Sequence, residues 1–197
     1  MSKQETVFAI VIFIAVGVIA RLLPHIPNFA PITASALFCG AYMHKRYSLA
    51  APIAIMFVSD YLLLYVDPFG QTSFHRVYPP WDLWHSALPY VYGSFCVSAV
   101  VGWHLKSHRS AGTVIVAALF CSVQFFLITN AGVWLAGAYD RGLNGLLESY
   151  VAAIPFFRGT VLGDLLYTSA FFGLYEMARE RGAATEVSYE EAGSQTA

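Results

Sequence analysis

Six long apolar segments dominate the chain and limit the folds that it can adopt. They lie near residues 6–23, 31–44, 48–66, 87–105, 111–135 and 160–178. Hydrophobic residues make up 57% of the 197 residues and charged residues only 12%, which is about half of the charged share of a soluble domain. A helix of roughly 17–25 residues crosses the hydrocarbon core of a bilayer. The pattern therefore predicts an all-α integral membrane protein with six transmembrane helices.

Charged residues between these segments predict the orientation in the membrane. Short, purely basic connections follow the second segment (Lys45, Arg46) and the fourth segment (Lys106, Arg109). Such loops face the cytoplasm under the positive-inside rule, so both termini are predicted to be cytoplasmic. Three longer connections are then predicted to face outward, namely 24–31, 67–86 and 136–159.

The ends of the chain differ in composition. Residues 1–181 are predicted to form one transmembrane domain. The small, polar and acidic tail 182–197 is predicted to be disordered. Within the third outer connection, residues 143–155 have the pattern of a short amphipathic helix at the outer interface.

A proline-rich stretch from Arg21 to Ile32 directly follows the first apolar segment. Pro24, Pro27 and Pro31 each fix φ and remove a backbone donor, so this stretch cannot form a regular helix. Irregular backbone at membrane depth is tolerated only where protein buries it or water lines it. We therefore predict a lid over a cavity. Its candidate substrate contacts are Arg21, His25, Asn28 and Phe29.

The second outer connection combines aromatic and ionisable side chains, a mixture that suits an organic ligand. Its candidate contacts are Asp67, His75, Tyr78 and Trp84. Trp and Tyr also concentrate at membrane interfaces, so an aromatic belt is the alternative interpretation. A metal centre built from the outer histidines is a further alternative, because neutral imidazole is a common ligand. No helical ligand spacing assigns any of these histidines to a metal.

Five further candidates lie within or near the ends of the later apolar segments: Asp60, Asn130, Trp134, Arg158 and Asp164. All but Asp60 are counted as substrate contacts, because they map to the outer half with the proline-rich stretch. Burying such groups is costly, so they are expected to face the bundle interior and find partners there. We predict an ion pair between Asp164 and either Arg158 or Arg21. A structural ion pair and a substrate pathway both remain open.

Small residues recur at four-residue spacing, for example Ala36 with Gly40 and Ala50 with Ala54. Such rows let helix backbones approach closely. We expect them to serve packing within the chain.

Several function classes lack their signatures in this sequence. No HExxH, GxSxG, Walker A or glycine-rich dinucleotide motif occurs, so the chain is not predicted to be an enzyme of those classes. Without an ATP site, active transport would need another protein or an ion gradient. The net charge of −1 gives no footprint for nucleic acid. The three cysteines lack zinc-ligand spacing and are expected to be free thiols.

Two motifs resemble the DUF6580 family, a bacterial family of proposed transport proteins without an assigned substrate. The first joins Arg21 and the stretch Pro24-His25-Ile26-Pro27-Asn28-Phe29-Ala30-Pro31-Ile32 to Ala36-Leu37-Phe38. The second joins Ile154-Pro155-Phe156-Phe157-Arg158 to Leu162-Gly163-Asp164-Leu165-Leu166-Tyr167. The predicted topology is also similar to the S components of energy-coupling-factor (ECF) transporters. Those six-helix proteins bind vitamins or metal ions under outer loops.

This resemblance implies a protein of the bacterial inner membrane that binds a micronutrient outside and delivers it inward. Solitary S components that take up cobalamin are the closest functional analogy. The implied substrate is thus a vitamin or metallocofactor, with cobalamin first, and no resident cofactor is implied. In that case Asp67, His25 and the loop from His75 to Trp84 would contact the corrinoid.

An ECF-type energising module is an implied partner, although the AxxxA docking motif of the first helix is missing. One alternative function is a membrane-embedded enzyme that acts on a lipid-like substrate through Asp164, Arg158 and His25. Another is a non-catalytic membrane scaffold whose outer aromatic residues dock a partner.

Overall fold

The computed structural model describes residues 3–23, 26–63, 65, 86–107 and 109–195. These residues form helices and contain no strand, so the all-α prediction is confirmed for them. The helices are α1 (Lys3–Leu22), α2 (Ile32–Tyr42), α3 (Lys45–Ser48), α4 (Ala50–Leu63), α5 (Leu88–Leu105), α6 (Ala111–Leu135) and α7 (Leu143–Gln195).

Helix α2 lies at the centre of the bundle. It packs against α4, α5, α6 and α7, and all of its residues except Tyr42 are buried. A helix that is apolar on every side needs this kind of environment. Around it, α1 pairs with α4 and α6 pairs with α5 and α7.

The backbones of α2 and α5 touch where they cross. A Cβ atom on Gly40 would collide with the carbonyl oxygen of Ala99, and one on Gly102 would collide with the carbonyl oxygen of Leu37. Only glycine lets two helices approach this closely. The predicted packing role of the small-residue row is therefore confirmed at Gly40.

Helix α7 is longer than the sequence pattern predicts. It begins at Leu143, continues through Pro155 and ends at Gln195. The predicted outer connection 136–159 is therefore wrong in extent, because only residues 136–142 are non-helical. The tail for which composition predicts disorder is likewise helical as far as Gln195.

Pro155 does not break α7, because residues before and after it in the helix pack against α6. The rings of Tyr150 and Phe157 both lie against Phe126, with centroids 5.6 and 4.8 Å away. The Tyr150 hydroxyl also donates to the carbonyl of Leu127 at 2.9 Å. These contacts offset the one backbone hydrogen bond that proline cannot donate.

Of the described helices, α6 has the length and composition to cross a membrane, and three other apolar helices are shorter. Only 33% of its most apolar window is buried inside the bundle. Its outward face carries Ile115, Val116, Leu119, Phe120, Val123 and Leu127. One potential span is thus found, and the full set of six stays a prediction.

Three contacts bring the turn after α2, the turn after α5 and the middle of α7 together. The Tyr42 hydroxyl donates to Glu176 at 2.6 Å, and the Arg109 guanidinium lies 4.6 Å from the centre of the Tyr42 ring. Lys106 Nζ donates to the carbonyl of Met43 at 2.9 Å. We call this end of the bundle the basic end. The opposite side, with residues 26–31 and 136–142, is the loop end.

Candidate functional site

The described part of the proline-rich stretch lies directly on α7. A Cβ atom on Gly159 would collide with the carbonyl oxygen of Pro27, and one on Gly163 would come within 3.1 Å of Phe29 Cα. The Gly159-x-x-x-Gly163 spacing therefore forms a flat seat for this loop. Asn28 adopts a left-handed conformation with φ of 61°, which asparagine tolerates better than most residues. The Phe29 ring then contacts Tyr167, with 5.5 Å between centroids.

Asp164 lies one residue beyond this seat and is buried, with 2% of its surface exposed. Ser122 Oγ on α6 donates to Asp164 Oδ2 at 2.7 Å. The Thr33 side chain, in the first turn of α2, hydrogen-bonds to the same carboxyl group. Three helices and the loop above them thus meet at one carboxylate, which is the candidate functional site.

The two ion pairs predicted for Asp164 are wrong. Arg21 instead donates to Asp60 Oδ1 at 2.5 Å and to Ser59 Oγ at 2.7 Å, because α1 packs along α4. Arg158 is exposed, and in the part of the chain that the structure describes no salt bridge joins it to Asp164. Positions 158 and 164 are six residues apart, so they do not share a face of α7.

Asn130 and Trp134 hold the connection between α6 and α7. Asn130 Nδ2 donates to the carbonyl of Phe126 at 2.7 Å, and its own carbonyl accepts from Ser149 Oγ at 2.9 Å. Trp134 Nε1 donates to the carbonyl of Asp140 at 3.1 Å. Asn130 lies two turns beyond Ser122, which is about 12 Å along α6. The structure therefore separates these two residues from Asp164.

A second cluster of buried polar side chains joins α5 to α6, and it was not predicted from the sequence. Ser94 Oγ donates to Gln124 Oε1 at 3.1 Å, and Gln124 Nε2 donates to Ser98 Oγ at 2.9 Å. The sequence did contain a signal for this cluster: two serines four residues apart in one apolar segment, and one glutamine in the next segment. Hydroxyl and amide groups at such spacings join helices in apolar surroundings.

Several predicted site residues lie outside the described residues. These are His25, Asp67, His75, Tyr78 and Trp84. Their roles, and any metal ligation by the outer histidines, stay predictions. Among the residues that are described, no three His, Cys, Asp or Glu side chains cluster closely enough to hold a metal ion.

Comparison with known proteins adds one match. A model of the DUF6580 family, a family of unknown function, matches residues 1–186, a range that includes both sequence motifs and Asp164. No curated protein and no solved structure matches the chain. The resemblance drawn from the two motifs is thereby confirmed, and the chain belongs to the DUF6580 family.

Proposed function

We propose that this protein is a membrane-embedded binding and transport protein that takes up a small micronutrient from the loop end. The observation that carries the proposal is Asp164, a carboxylate buried among three helices beside the proline-rich loop. The proposal includes six membrane-spanning segments, both termini in the cytoplasm and a location in the bacterial inner membrane.

The surface of the bundle supports a membrane location. Large apolar side chains are exposed along whole helices, among them Val16 (50%), Val116 (67%) and Leu166 (55%). Monomeric soluble proteins rarely expose contiguous apolar patches of more than a few hundred Å². Lys106, Arg109 and Arg179 lie at the basic end, which suits the cytoplasmic side.

The surroundings of Asp164 favour binding over catalysis. An ionisable group inside an apolar bundle is expensive and is by default a candidate for substrate or ion recognition. Its partners Ser122 and Thr33 are hydroxyl groups, and neither can act as a general base at neutral pH. The enzyme alternative needs a paired acid and base, and the contacts of Asp164 with other described residues do not provide one.

The proposed substrate is a vitamin or a metallocofactor, with cobalamin as the first to test. An ECF-type module would energise the uptake in one form of this proposal. In the other form the protein works alone, as solitary S components do.

A cysteine-labelling experiment tests the topology. Ser107 and Asp140 are both exposed and lie at opposite ends of the bundle. In intact cells we expect a membrane-impermeant maleimide to label Asp140→Cys and to label Ser107→Cys only after lysis. The wild-type chain gives the background, which includes any labelling of the half-buried Cys96; Cys39 and Cys121 are buried. Labelling in the reverse order would contradict the orientation, and equal labelling of both in intact cells would contradict membrane insertion.

A binding experiment tests the function. We expect the purified protein to bind one ligand in a screen of vitamins and metallocofactors, with cyanocobalamin tested first. The Asp164→Asn variant should bind it about tenfold or more weakly, because a hydrogen bond to a charged group contributes about 1.5–3 kcal/mol. Asp140→Asn, at an exposed carboxylate, is the matched control and should bind normally. No ligand in the screen, or equal affinity of a folded Asp164→Asn variant, would contradict the proposal.

A further inference from the structure

We propose that Asp164, Ser122, Thr33 and Thr168 form a binding site for a monovalent metal cation, Na⁺, between α2, α6 and α7. The proposed role of this site, coupling an ion gradient to uptake, rests on the proposed transport function. The binding of the cation itself does not.

The first observation is the side chain of Thr168. It is buried, with 2% of its surface exposed, and within the described structure its Oγ1 atom has no hydrogen-bond partner. Thr168 follows Asp164 by four residues, so both side chains lie on the same face of α7. A buried hydroxyl without a partner is costly and indicates a bound water or ion.

Several other buried hydroxyls in this bundle are satisfied in a common way. Each of these donates to the carbonyl group four residues earlier: Ser35 to Pro31, Ser98 to Ser94, Thr129 to Phe125 and Thr160 to Phe156. Thr168 departs from this pattern. Its oxygen is therefore available to a ligand on the face that it shares with Asp164.

The second observation is the charge of the group. Among the described residues the Asp164 carboxylate has hydroxyl partners and no salt bridge. A buried charge needs an opposite charge nearby, and hydroxyl dipoles supply only part of that compensation. One bound monovalent cation would neutralise the site.

The donor atoms decide the class of cation. One carboxylate and three hydroxyls offer hard oxygen ligands with a single negative charge. Divalent cations usually recruit more carboxylates, phosphates or several waters. Softer metals prefer imidazole and thiolate ligands, and no such cluster occurs in the described part of the chain. Na⁺ is a common hard cation that matches both the charge and the donors.

The test measures thermal unfolding of the purified full-length protein in NaCl, KCl or choline chloride at one ionic strength. We expect Na⁺ to raise the unfolding midpoint above its value in choline chloride, because a ligand of the folded state stabilises that state. Direct ²²Na⁺ binding gives the dissociation constant. Thr168→Val keeps the shape of the side chain and removes the oxygen, so Na⁺ binding should weaken about tenfold or more.

Thr160→Val is the matched control, since Thr160 is also buried on α7 but its hydroxyl is bonded to the Phe156 carbonyl. This variant should keep wild-type Na⁺ affinity. Thr168→Val is expected to fold at least as well as the wild type in choline chloride, because it removes a buried hydroxyl without a partner. A wild-type protein that does not respond to Na⁺, or a Thr168→Val variant with unchanged Na⁺ affinity, would overturn the inference. An unfolding midpoint that changes with pH but not with Na⁺ would also overturn the inference, since the Asp164 carboxyl would then bind only a proton.

The two proposals can fail separately. Suppose that proteoliposomes take up the ligand equally well in Na⁺ and in choline, and that the protein binds no ²²Na⁺. These results would rule out the cation site but leave the transport proposal intact. Na⁺ binding that depends on Thr168, without any ligand from the screen, would leave the cation site and count against micronutrient transport.

Discussion

Replacing Gly40 by alanine is expected to destabilise the folded protein by about 3 kcal/mol, the upper range for overpacking a tight contact. The added Cβ atom would collide with the Ala99 carbonyl oxygen and with Gly102 Cα. Both are backbone atoms, so no side chain can turn aside, and α5 as a whole must move away from α2. Alanine's higher helix propensity offsets only about 1 kcal/mol of this cost. Thermal unfolding in detergent, followed by circular dichroism, measures the effect.

Gly93→Ala is the matched control for this experiment. Gly93 also lies within a core helix, α5, but nothing lies within 4 Å of the position that its Cβ atom would occupy. This variant should be as stable as the wild type or slightly more stable. If Gly40→Ala and Gly93→Ala unfolded at the same temperature, the close crossing of α2 and α5 would be wrong.

Replacing Gly159 by alanine is expected to displace the proline-rich loop without unfolding the bundle. The new Cβ atom would collide with the Pro27 carbonyl oxygen. Residues 26–28 are exposed, so the loop can move away from α7 without disturbing the packed helices. Helix α5 has no such freedom in the Gly40→Ala variant. Faster hydrogen–deuterium exchange in residues 26–31 should report the displacement. Affinity for the ligand found in the screen should fall about tenfold, the usual scale when a supporting contact of a site is lost.

Gly173→Ala tests whether the effect comes from the contact between Gly159 and the loop, and not from any glycine-to-alanine change in α7. Gly173 lies on the same helix, and its Cβ position has no neighbour within 4 Å. Exchange in residues 26–31 should then match the wild type. Unchanged exchange in Gly159→Ala would show that the loop does not rest on α7, and it would remove the loop from the site.

Helix positions could be predicted from the sequence because apolar length is a local property. The segment 111–135 coincides with α6, and 87–105 differs from α5 by one residue. The pattern failed around Pro155, where a short helix over 143–155 and a separate segment from 160 were predicted but one continuous helix is found. Packing of Tyr150 and Phe157 against Phe126 keeps α7 continuous, and this contact joins residues that are distant in the sequence.

The partners of the polar residues could not be predicted, because they depend on which helices are neighbours. Arg21 finds Asp60 across 39 positions of sequence, and Asp164 finds Ser122 across 42. Both acidic residues were visible as candidates, since an ionisable group in an apolar segment stands out. Ser122 and Thr33 did not stand out, because single hydroxyls are common in membrane helices.

The shortness of α2 has a consequence for the path of a solute. Its 11 residues span about 16 Å, whereas the hydrocarbon core of a bilayer is about 30 Å thick. In the proposed orientation, a solute that reaches Asp164 from the loop end has already crossed about half of the membrane. The remaining permeation barrier is the aromatic cluster toward the basic end, formed by Phe13, Phe38, Phe171 and Phe172. Inward release would then require these rings to part, and a solute as large as a vitamin would also require the helices that carry them to separate.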